Sequence, residues 1–385
     1  MTLVAADAVT AETPARTRPV LADLWVPLLL YVGTRIVQLL FIAWLAPAGG
    51  PSIRSRLLAW DGDWFMRVAT QGYPHTYSYD ASGQMVGNGL AFFPAYPLLI
   101  RGLWKLGVPA DIAALSISWL AGAVAAVLLY LLGTELVDRR VGLVLTALFL
   151  AQPMSVVFSM GYSEALFSAL VIGMFYAAYR RAFLVAGVLG LGAALTRPTG
   201  LAAAVGLAVA AVLAMRAGTV PGWRAATGAL VALAGVPAYL LWVAARVGDL
   251  NAWFTIQTAG WGTTFDWGRS TWNFLVTAIH QGNGWVQVSV ALILLAAVVA
   301  TLFAVRRAWP PIVVYGLLAL VLVVGQAGYY HSKPRLLLPV LLTLLPAAYA
   351  AAKARPATVT LGVVGYSVFG LWYGAYMITV WTYTI

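Results

Sequence analysis

Cysteine is absent from the 385 residues of this chain, and charged residues make up only 9% of it. The first absence excludes disulfides, thiolate metal sites and a cysteine nucleophile. The second excludes an ordinary soluble enzyme, a nucleic-acid-binding module and a disordered chain, because a soluble domain carries about 25% charged residues. What is present instead is 62% hydrophobic residues and a mean hydropathy of +0.88. This composition predicts an integral membrane protein.

Apolar runs of the length that a spanning helix requires, about 20 residues, follow one another along almost the whole chain. They predict an all-α, polytopic helical bundle of about eleven transmembrane helices, forming a single domain over residues 21–385. The predicted spans are residues 24–46, 112–134, 141–159, 162–180, 182–196, 199–215, 225–246, 286–305, 309–328, 334–352 and 357–381. Residues 1–20 lack such a run and are predicted to be a short cytoplasmic tail, not a signal peptide.

Basic residues are concentrated in alternate connections between these spans. The basic pairs are Arg16/Arg18, Arg139/Arg140, Arg180/Arg181, Arg216/Arg224, Arg306/Arg307 and Lys353/Arg355. Because short loops rich in Arg and Lys stay on the cytoplasmic side, the N-terminus is predicted inside and the C-terminus outside. Two long outer loops, at residues 47–111 and 247–285, then lie on the opposite side together with most of the polar residues.

The first outer loop holds two carboxylates, Asp61 and Asp63, at the start of a predicted interfacial helix over residues 61–70. One interpretation is that a carboxylate caps this helix, as Asp commonly does. A second is that Asp61 acts as a general base beside the membrane surface. A third is that the Asp-x-Asp pair holds a divalent cation, although two carboxylates alone do not complete such a site.

Charged residues also lie at the outer ends of apolar helices, where an ionisable group is costly unless it is paired or faces a polar cavity. Glu164 and Arg197 are predicted either to form a mutual salt bridge or to contact substrate. The turn at residues 329–335 concentrates positive charge on the outer side through His331, Lys333 and Arg335. This cluster favours a phosphate clamp, in which Arg335 supplies a bidentate fork and Lys333 a point charge.

Several ordered motifs make the sequence recognisable. They are Trp60-Asp61-Gly62-x-Trp64, Gly72-Tyr73, Phe92-Phe93-Pro94-x-Tyr96-Pro97-Leu98, Tyr162-Ser163-Glu164-Ala165-Leu166-Phe167 and Thr196-Arg197-Pro198-Thr199-Gly200. Together they resemble the bacterial PIG-V-like mannosyltransferases of the GT-C class of polytopic glycosyltransferases, strongly over residues 60–200 and weakly to Pro339. Two positions depart from the pattern: Asp63 lies where the family is less uniform, and Arg335 is followed by Leu336 where a tyrosine is expected.

The resemblance implies a GT-C-like fold, a polyprenyl-phosphate-linked sugar, usually mannose, as donor, and an outward-facing active site with Asp61 as the catalytic carboxylate. Combined with the residues above, it predicts an inverting transfer of a hexose to an acceptor hydroxyl at the extracytoplasmic face of the membrane. The predicted substrate-binding residues are Trp60, Asp63, Trp64, Tyr73, Glu164, Arg197, His331, Lys333 and Arg335. The acceptor is expected to be a glycan, a glycolipid or a protein.

Phosphate is already a good leaving group, so this reaction needs no second carboxylic acid, only positive charge that stabilises the departing group. No cofactor is required in this prediction, and a divalent cation at the Asp-x-Asp pair is the alternative. The predicted partners are polyprenyl-phosphate-mannose, the acceptor and the bilayer, with no nucleic acid. Arg outnumbers Lys by 20 to 3, which indicates a bacterial source and therefore a bacterial plasma membrane. The alternative function is a flippase or transporter for lipid-linked sugars, which needs polar residues at mid-membrane depth or matched broken helices in two halves. Arg35 and Gln38 in the first span are a polar pair of that kind.

Overall fold

The computed structural model describes residues 23–282, 284–381 and 383–385, which are mostly helical. The predicted tail at residues 1–20, with Arg16 and Arg18, lies outside these residues. The helices are α1 (Trp25–Leu45), α2 (Ile53–Leu57), α3 (Asp61–Gln71), α4 (Ala95–Lys105), α5 (Ala110–Leu136), α6 (Arg139–Ala151), α7 (Glu164–Tyr179), α8 (Phe183–Ala194), α9 (Gly200–Arg216), α10 (Gly222–Val247), α11 (Ala252–Trp261), α12 (Arg269–Gln281), α13 (Trp285–Ala304), α14 (Pro310–Gly325), α15 (Lys333–Leu337), α16 (Leu345–Lys353) and α17 (Pro356–Thr379). Short 3-10 turns lie at Gly89–Ala91, Ser155–Phe158, Tyr330–Ser332 and Leu341–Thr343. A small antiparallel hairpin, β1 (Ser78–Tyr79) and β2 (Met85–Val86), lies within the first long loop.

Helix is present at each of the eleven predicted spans, but two of them are broken. The segment 141–159 contains α6 followed by an irregular turn, because Pro153 cannot continue the helix and Met154 has a positive φ of 71°. The segment 334–352 contains α15, a 3-10 turn and α16, and Pro339 falls at the break. Among the described residues α1, α5, α10, α13 and α17 are long and apolar enough to cross a membrane on their own. The chain is a multi-pass membrane protein, and the count of eleven spans stays a prediction.

Small residues bring α8 and α10 into close contact. A Cβ atom added at Gly187 would lie 2.6 Å from the Cα atom of Gly228, and one added at Gly190 would lie 2.6 Å from the Cβ atom of Ala232. Helices in lipid associate through such close approach because apolar burial alone does not distinguish a neighbouring helix from lipid tails. This packing fixes the turn between α8 and α9, where Arg197 lies.

The helix predicted at residues 61–70 is present as α3, although its apolar face is not free. Phe65, Val68 and Ala69 are buried, and the ring of Phe65 contacts Phe92 and Tyr96 with centroid separations of 5.0 and 4.9 Å. The amphipathic pattern of α3 therefore reflects its packing against α4 and against the segment that precedes α4, rather than burial of that face in the membrane surface. This contact anchors the start of α3 beside the bundle.

Buried basic side chains bind the carbonyl groups at the ends of several helices. Arg35 donates to Leu150 O at 2.6 Å, at the end of α6, and to Ser155 O at 2.8 Å, in the 3-10 turn that follows. Arg56 donates to Ile378 O and Thr379 O at the end of α17, and Arg140 donates to Ala352 O and Ala354 O at the end of α16. Because the last carbonyls of a helix have no intrahelical partner and carry partial negative charge, these cations stabilise them. This use accounts for part of the excess of basic over acidic residues.

Basic turns of the sequence meet at one end of the bundle. Arg139 pairs with Asp23 at 3.0 Å, and Arg180 pairs with Glu135 at 2.8 Å. Arg140 reaches the backbone around Lys353. The alternating pattern predicted from the sequence is thus compatible with the path of the chain.

Candidate active site

A cavity of about 350 Å³ lies at the other end of the bundle, where the two long loops meet the helix ends. Its lining comes from the start of α3, the segment before α4, the α8–α9 turn, α11, the end of α14 and the turn that leads into α15. The lining is unevenly charged. Asp61, Arg197, Lys333 and Arg335 are its charged side chains among the described residues, and aromatic side chains dominate the wall formed by α3 and α11. The cavity therefore combines a charged region with a neutral aromatic wall.

Asp61 is the first residue of α3, and its carboxylate does not cap that helix. The preceding Trp60 has a positive φ of 56°, makes no side-chain cap and turns the chain into the helix. The Asp61 backbone N–H donates to the hydroxyl of Tyr162 at 3.3 Å. The Asp61 Oδ2 atom instead accepts a hydrogen bond from Arg335 Nη1 at 2.8 Å. The capping interpretation is wrong here, because the carboxylate is held at the cavity wall by a guanidinium.

Glu164 connects the two arginines of the site. It begins α7, has a side chain that is 1% exposed, and its Oε1 atom lies 2.8 Å from Arg197 Nη1 and 3.3 Å from Arg335 Nε. Arg197 Nη1 also donates to Ser163 Oγ at 3.0 Å. The salt bridge that the sequence left as one of two interpretations for Glu164 and Arg197 is therefore present. It is extended to Asp61 through Arg335, whose guanidinium lies 5.1 Å from the ring centroid of Tyr162.

The four charged side chains of this ion-pair network have a net charge of zero. Two carboxylates and two guanidinium groups alternate in the order Asp61, Arg335, Glu164, Arg197. Burying an unpaired charge costs several kcal/mol, so alternation is what allows four ionised groups to lie at the end of an apolar bundle. Arg335 uses Nη1 and Nε in this chain, which leaves its Nη2 group for a further acceptor.

Lys333 lines the cavity but also has a structural contact. Its Nζ atom donates to Val323 O at 2.8 Å and to Gln326 O at 2.6 Å, at the end of α14. Burial lowers the pKa of Lys333 from its ordinary value of 10.5 to about 8, and the nearby carboxylate of Asp266 opposes that shift. Two of the three ammonium protons are thus used on carbonyl groups, and one is left for the cavity.

Four residues predicted to bind substrate do not line the cavity: Glu164, which pairs with the two arginines, and Asp63, Tyr73 and His331. Asp63 is about half exposed and pairs with Arg67 one helical turn later at 2.7 Å. Tyr73 donates its hydroxyl to Phe92 O at 2.9 Å and holds the segment before α4. His331 is buried among aromatic rings, Tyr330 and Trp381 among them, and this burial lowers its pKa. Asp61 and Asp63 point to different partners, so the Asp-x-Asp pair does not converge on one point.

The aromatic wall includes residues that are not in the predicted set of substrate-binding residues. Trp253, Gln257 and Trp261 of α11 line the cavity together with Phe92 and Phe93. Their spacing of four residues along α11 places the three on one face of a helix, which is the signal that could have found them.

Comparison with solved structures shows the fold. The chain is similar to ArnT from Cupriavidus metallidurans bound to undecaprenyl phosphate, with a TM-score of 0.54 and 16% identity over 90% of this chain and 63% of that chain. The apo state of the same protein gives a TM-score of 0.53 and 17% identity over 89% and 62%. The oligosaccharyltransferase from Archaeoglobus fulgidus in its apo form gives a TM-score of 0.50 and 13% identity over 92% of this chain and 56% of that chain. The chain thus spans less than two thirds of the length of these proteins, and no curated protein sequence matches it.

The chain therefore shares the fold of these solved structures. Residues 49–213 match the model of the family described as Mannosyltransferase (PIG-V). The resemblance seen in the ordered motifs is confirmed by this match, which includes Asp61, Glu164 and Arg197.

Proposed function

We propose that this chain is a glycosyltransferase that moves a hexose, mannose, from a polyprenyl-phosphate donor to an acceptor hydroxyl. The observation that carries the proposal is the Asp61 carboxylate on the wall of a cavity that also presents Arg335, Arg197 and Lys333. The family match over residues 49–213 and the GT-C-like fold support it independently of that geometry.

Asp61 acts as the general base in this proposal. Its second carboxylate oxygen is not used by Arg335, so it can accept the proton of the acceptor hydroxyl as that oxygen attacks the anomeric carbon. The lipid phosphate leaves from the opposite face of the sugar, which inverts the anomeric configuration. Arg335 fixes the orientation of the carboxylate, because a hydrogen-bonded ion pair restricts the rotamers of both partners.

The leaving phosphate gains one negative charge as the sugar departs, and basic side chains stabilise it. The ion-pair network is neutral as a whole, because it contains two carboxylates and two guanidinium groups. The ammonium of Lys333 is therefore the net positive charge of the site. The Nη2 group of Arg335 and the unused protons of Arg197 add hydrogen bonds that need no rearrangement of their carboxylate partners. A metal ion is not needed for this charge balance.

The site faces the extracytoplasmic side of a bacterial plasma membrane in this proposal. The supporting observation is that the basic turns near Arg139, Arg180 and Lys353 lie at the end of the bundle away from the cavity, since basic loops mark the cytoplasmic side. The donor lipid then reaches the cavity from the outer leaflet, and the acceptor is a glycan, glycolipid or protein on that side.

A flippase or transporter is the weaker alternative, because its polar pair has a structural explanation. Arg35 donates to carbonyl groups at the end of α6 and in the 3-10 turn that follows, and to Ser159 Oγ, and Gln38 Nε2 donates to Leu371 O at 2.7 Å. These contacts tie α1 to its neighbours. The pair therefore has a packing role and does not support transport.

A transfer assay with the purified chain tests the proposal. Polyprenyl-phosphate-mannose is supplied with a panel of glycan, glycolipid and peptide acceptors, and the product's anomeric configuration is read by NMR. Inverted product that depends on Asp61 supports the proposal. Movement of the donor lipid between leaflets of a vesicle without any transfer to an acceptor would favour the flippase.

A further inference from the structure

The helix α11 contributes a wall of the cavity although it lies outside residues 49–213 that match the family. Trp253, Gln257 and Trp261 face the cavity at intervals of four residues. The wall is therefore supplied by the second long loop, a part of the chain that the family motifs do not cover.

α11 is held firmly against the first long loop. A Cβ atom added at Gly87 would lie 2.6 Å from the Cα atom of Gly260, so the two backbones touch. Trp253 Nε1 and Gln257 Nε2 both donate to Ala91 O, at 3.3 and 3.1 Å. These contacts fix the positions of the cavity-facing side chains, and they leave Gln257 Oε1 as an acceptor.

Aromatic faces form the surface of this wall. The ring centroids of Trp261 lie 6.1 Å from Trp64 and 5.4 Å from Phe92, in edge-on arrangements, and Trp64 stacks on Phe92 at 5.9 Å. Such interlocked rings are rigid and lose little entropy on contact with a ligand. These rings line the cavity, and the electron-rich face of an aromatic ring attracts the weakly positive C–H groups of a ligand.

The position of the wall relative to Asp61 limits the chemical class of ligand that can bind there. Trp64 follows Asp61 by three residues on α3, so the two side chains lie on neighbouring parts of one helix face. The charged residues that line the cavity, among those described, are Asp61, Arg197, Lys333 and Arg335, and none of them belongs to α11. A ligand on this wall is therefore neutral, has C–H faces and hydroxyl groups, and lies within reach of the base.

We propose that α11, together with Trp64, forms a binding subsite for a neutral pyranose ring. Trp261 supplies the stacking surface, Trp64 packs beside it with a centroid separation of 6.1 Å, and Gln257 Oε1 accepts a hydrogen bond from a ring hydroxyl. This subsite rests on the proposed glycosyltransferase function. In that function the bound ring is either the hexose of the donor or a sugar of the acceptor.

Direct binding tests the subsite without any need for turnover. The full chain is placed in lipid nanodiscs, because maltoside detergents carry the same kind of ring, and methyl α-mannoside and mannobiose are titrated by saturation-transfer NMR. We expect Trp261→Ala to raise the Kd about tenfold, the scale of losing one aromatic contact of about 1.4 kcal/mol. Gln257→Met keeps the volume of the side chain and should raise the Kd as well, whereas Trp261→Phe should keep most of the affinity.

Trp272→Ala is the matched control, because Trp272 is a 67% exposed residue of α12 that does not line the cavity. Its Kd should equal that of the wild type. Unchanged affinity in both Trp261→Ala and Gln257→Met, or an equal loss in Trp272→Ala, overturns the subsite.

Michaelis constants then assign the ring to its source. A rise in the constant for the acceptor in Trp261→Ala, with the donor constant unchanged, identifies the acceptor sugar, and the reverse pattern identifies the donor hexose. Sugar binding that depends on Trp261 in a chain that transfers no sugar would overturn the proposed function while leaving the subsite in place. Sugar transfer that depends on Asp61, together with sugar binding that does not depend on α11, would overturn the subsite and leave the proposed function in place.

Discussion

Asp61 and Arg335 are 274 positions apart in the sequence, and their side chains form a hydrogen-bonded ion pair of 2.8 Å at the cavity wall. The side chains are 21% and 10% exposed, so the pair is partly shielded from water without being sealed. Arg335 reaches Glu164 through Nε at the same time. The pair thus connects the first long loop to the last part of the bundle and places a carboxylate beside positive charge.

Replacing Arg335 is expected to impair donor use more than acceptor use. Arg335→Ala removes the proposed phosphate contact and leaves Asp61 and Glu164 without their shared partner, so the Michaelis constant for the donor should rise and turnover should fall. Arg335→Lys should rescue only in part, because an ammonium cannot bridge both carboxylates with the planar geometry of a guanidinium. Steady-state kinetics with varied donor checks this, and a donor constant equal to the wild type in Arg335→Ala would remove the residue from the site.

Replacing Glu164 is expected to act mainly on stability. Glu164→Ala leaves two guanidinium groups facing each other near the end of the bundle, and breaking a buried pair in this way costs about 3–5 kcal/mol. Thermal unfolding in nanodiscs should show a clearly lower midpoint. Asp63→Ala breaks the exposed pair with Arg67 and serves as the control, with a midpoint close to the wild type. A midpoint in Glu164→Ala that matched this control would contradict the proposed charge chain.

Activity is expected to fall as the pH rises through about 8. Burial lowers the pKa of Lys333 to about 8, so the ammonium that supplies the net positive charge is present below that pH and lost above it. The measurement is kcat/KM against pH for the wild type and for Lys333→Arg. The variant keeps its charge at every accessible pH, so its falling limb should disappear or move upward. An identical limb in both proteins would assign the ionisation to another group.

The topology prediction can be checked with single cysteines, because the wild type has none. Gln84→Cys and Thr264→Cys lie at exposed positions of the two long loops, and Arg306→Cys lies in a basic turn. An impermeant thiol reagent added to whole cells should label the first two and not the third. The reverse labelling would place the site on the cytoplasmic side.

Much of the fold could be predicted from the sequence because hydrophobic runs and basic turns are local signals. The runs located helix at all eleven positions, and they failed only in detail at Pro153 and Pro339, where a proline breaks an otherwise apolar segment. The apolar face of α3 illustrates a limit of the method: periodicity shows that Phe65, Val68 and Ala69 are buried, but it does not tell whether lipid or α4 covers them.

The candidate site was predictable where a motif or a costly charge marked it. Asp61, Arg197 and Arg335 were found in this way, and the structure brings them to one cavity. The pairing of Arg335 with Asp61 could not be predicted, since it depends on the packing of distant helices. The face of α11 was missed because its aromatic residues resemble ordinary interfacial tryptophans until the cavity shows which of them share a wall.

The most direct test of the account is the turnover of Asp61→Asn beside that of Asp63→Asn, measured with polyprenyl-phosphate-mannose and a transferable acceptor. The amide keeps the size of the side chain and an oxygen for Arg335, but it cannot accept the proton, so turnover should fall by about 100- to 10,000-fold with folding and donor binding retained. Asp63 pairs with Arg67 outside the cavity, so Asp63→Asn should remain close to the wild type. Near-normal turnover by Asp61→Asn would contradict the assignment of Asp61 as the base.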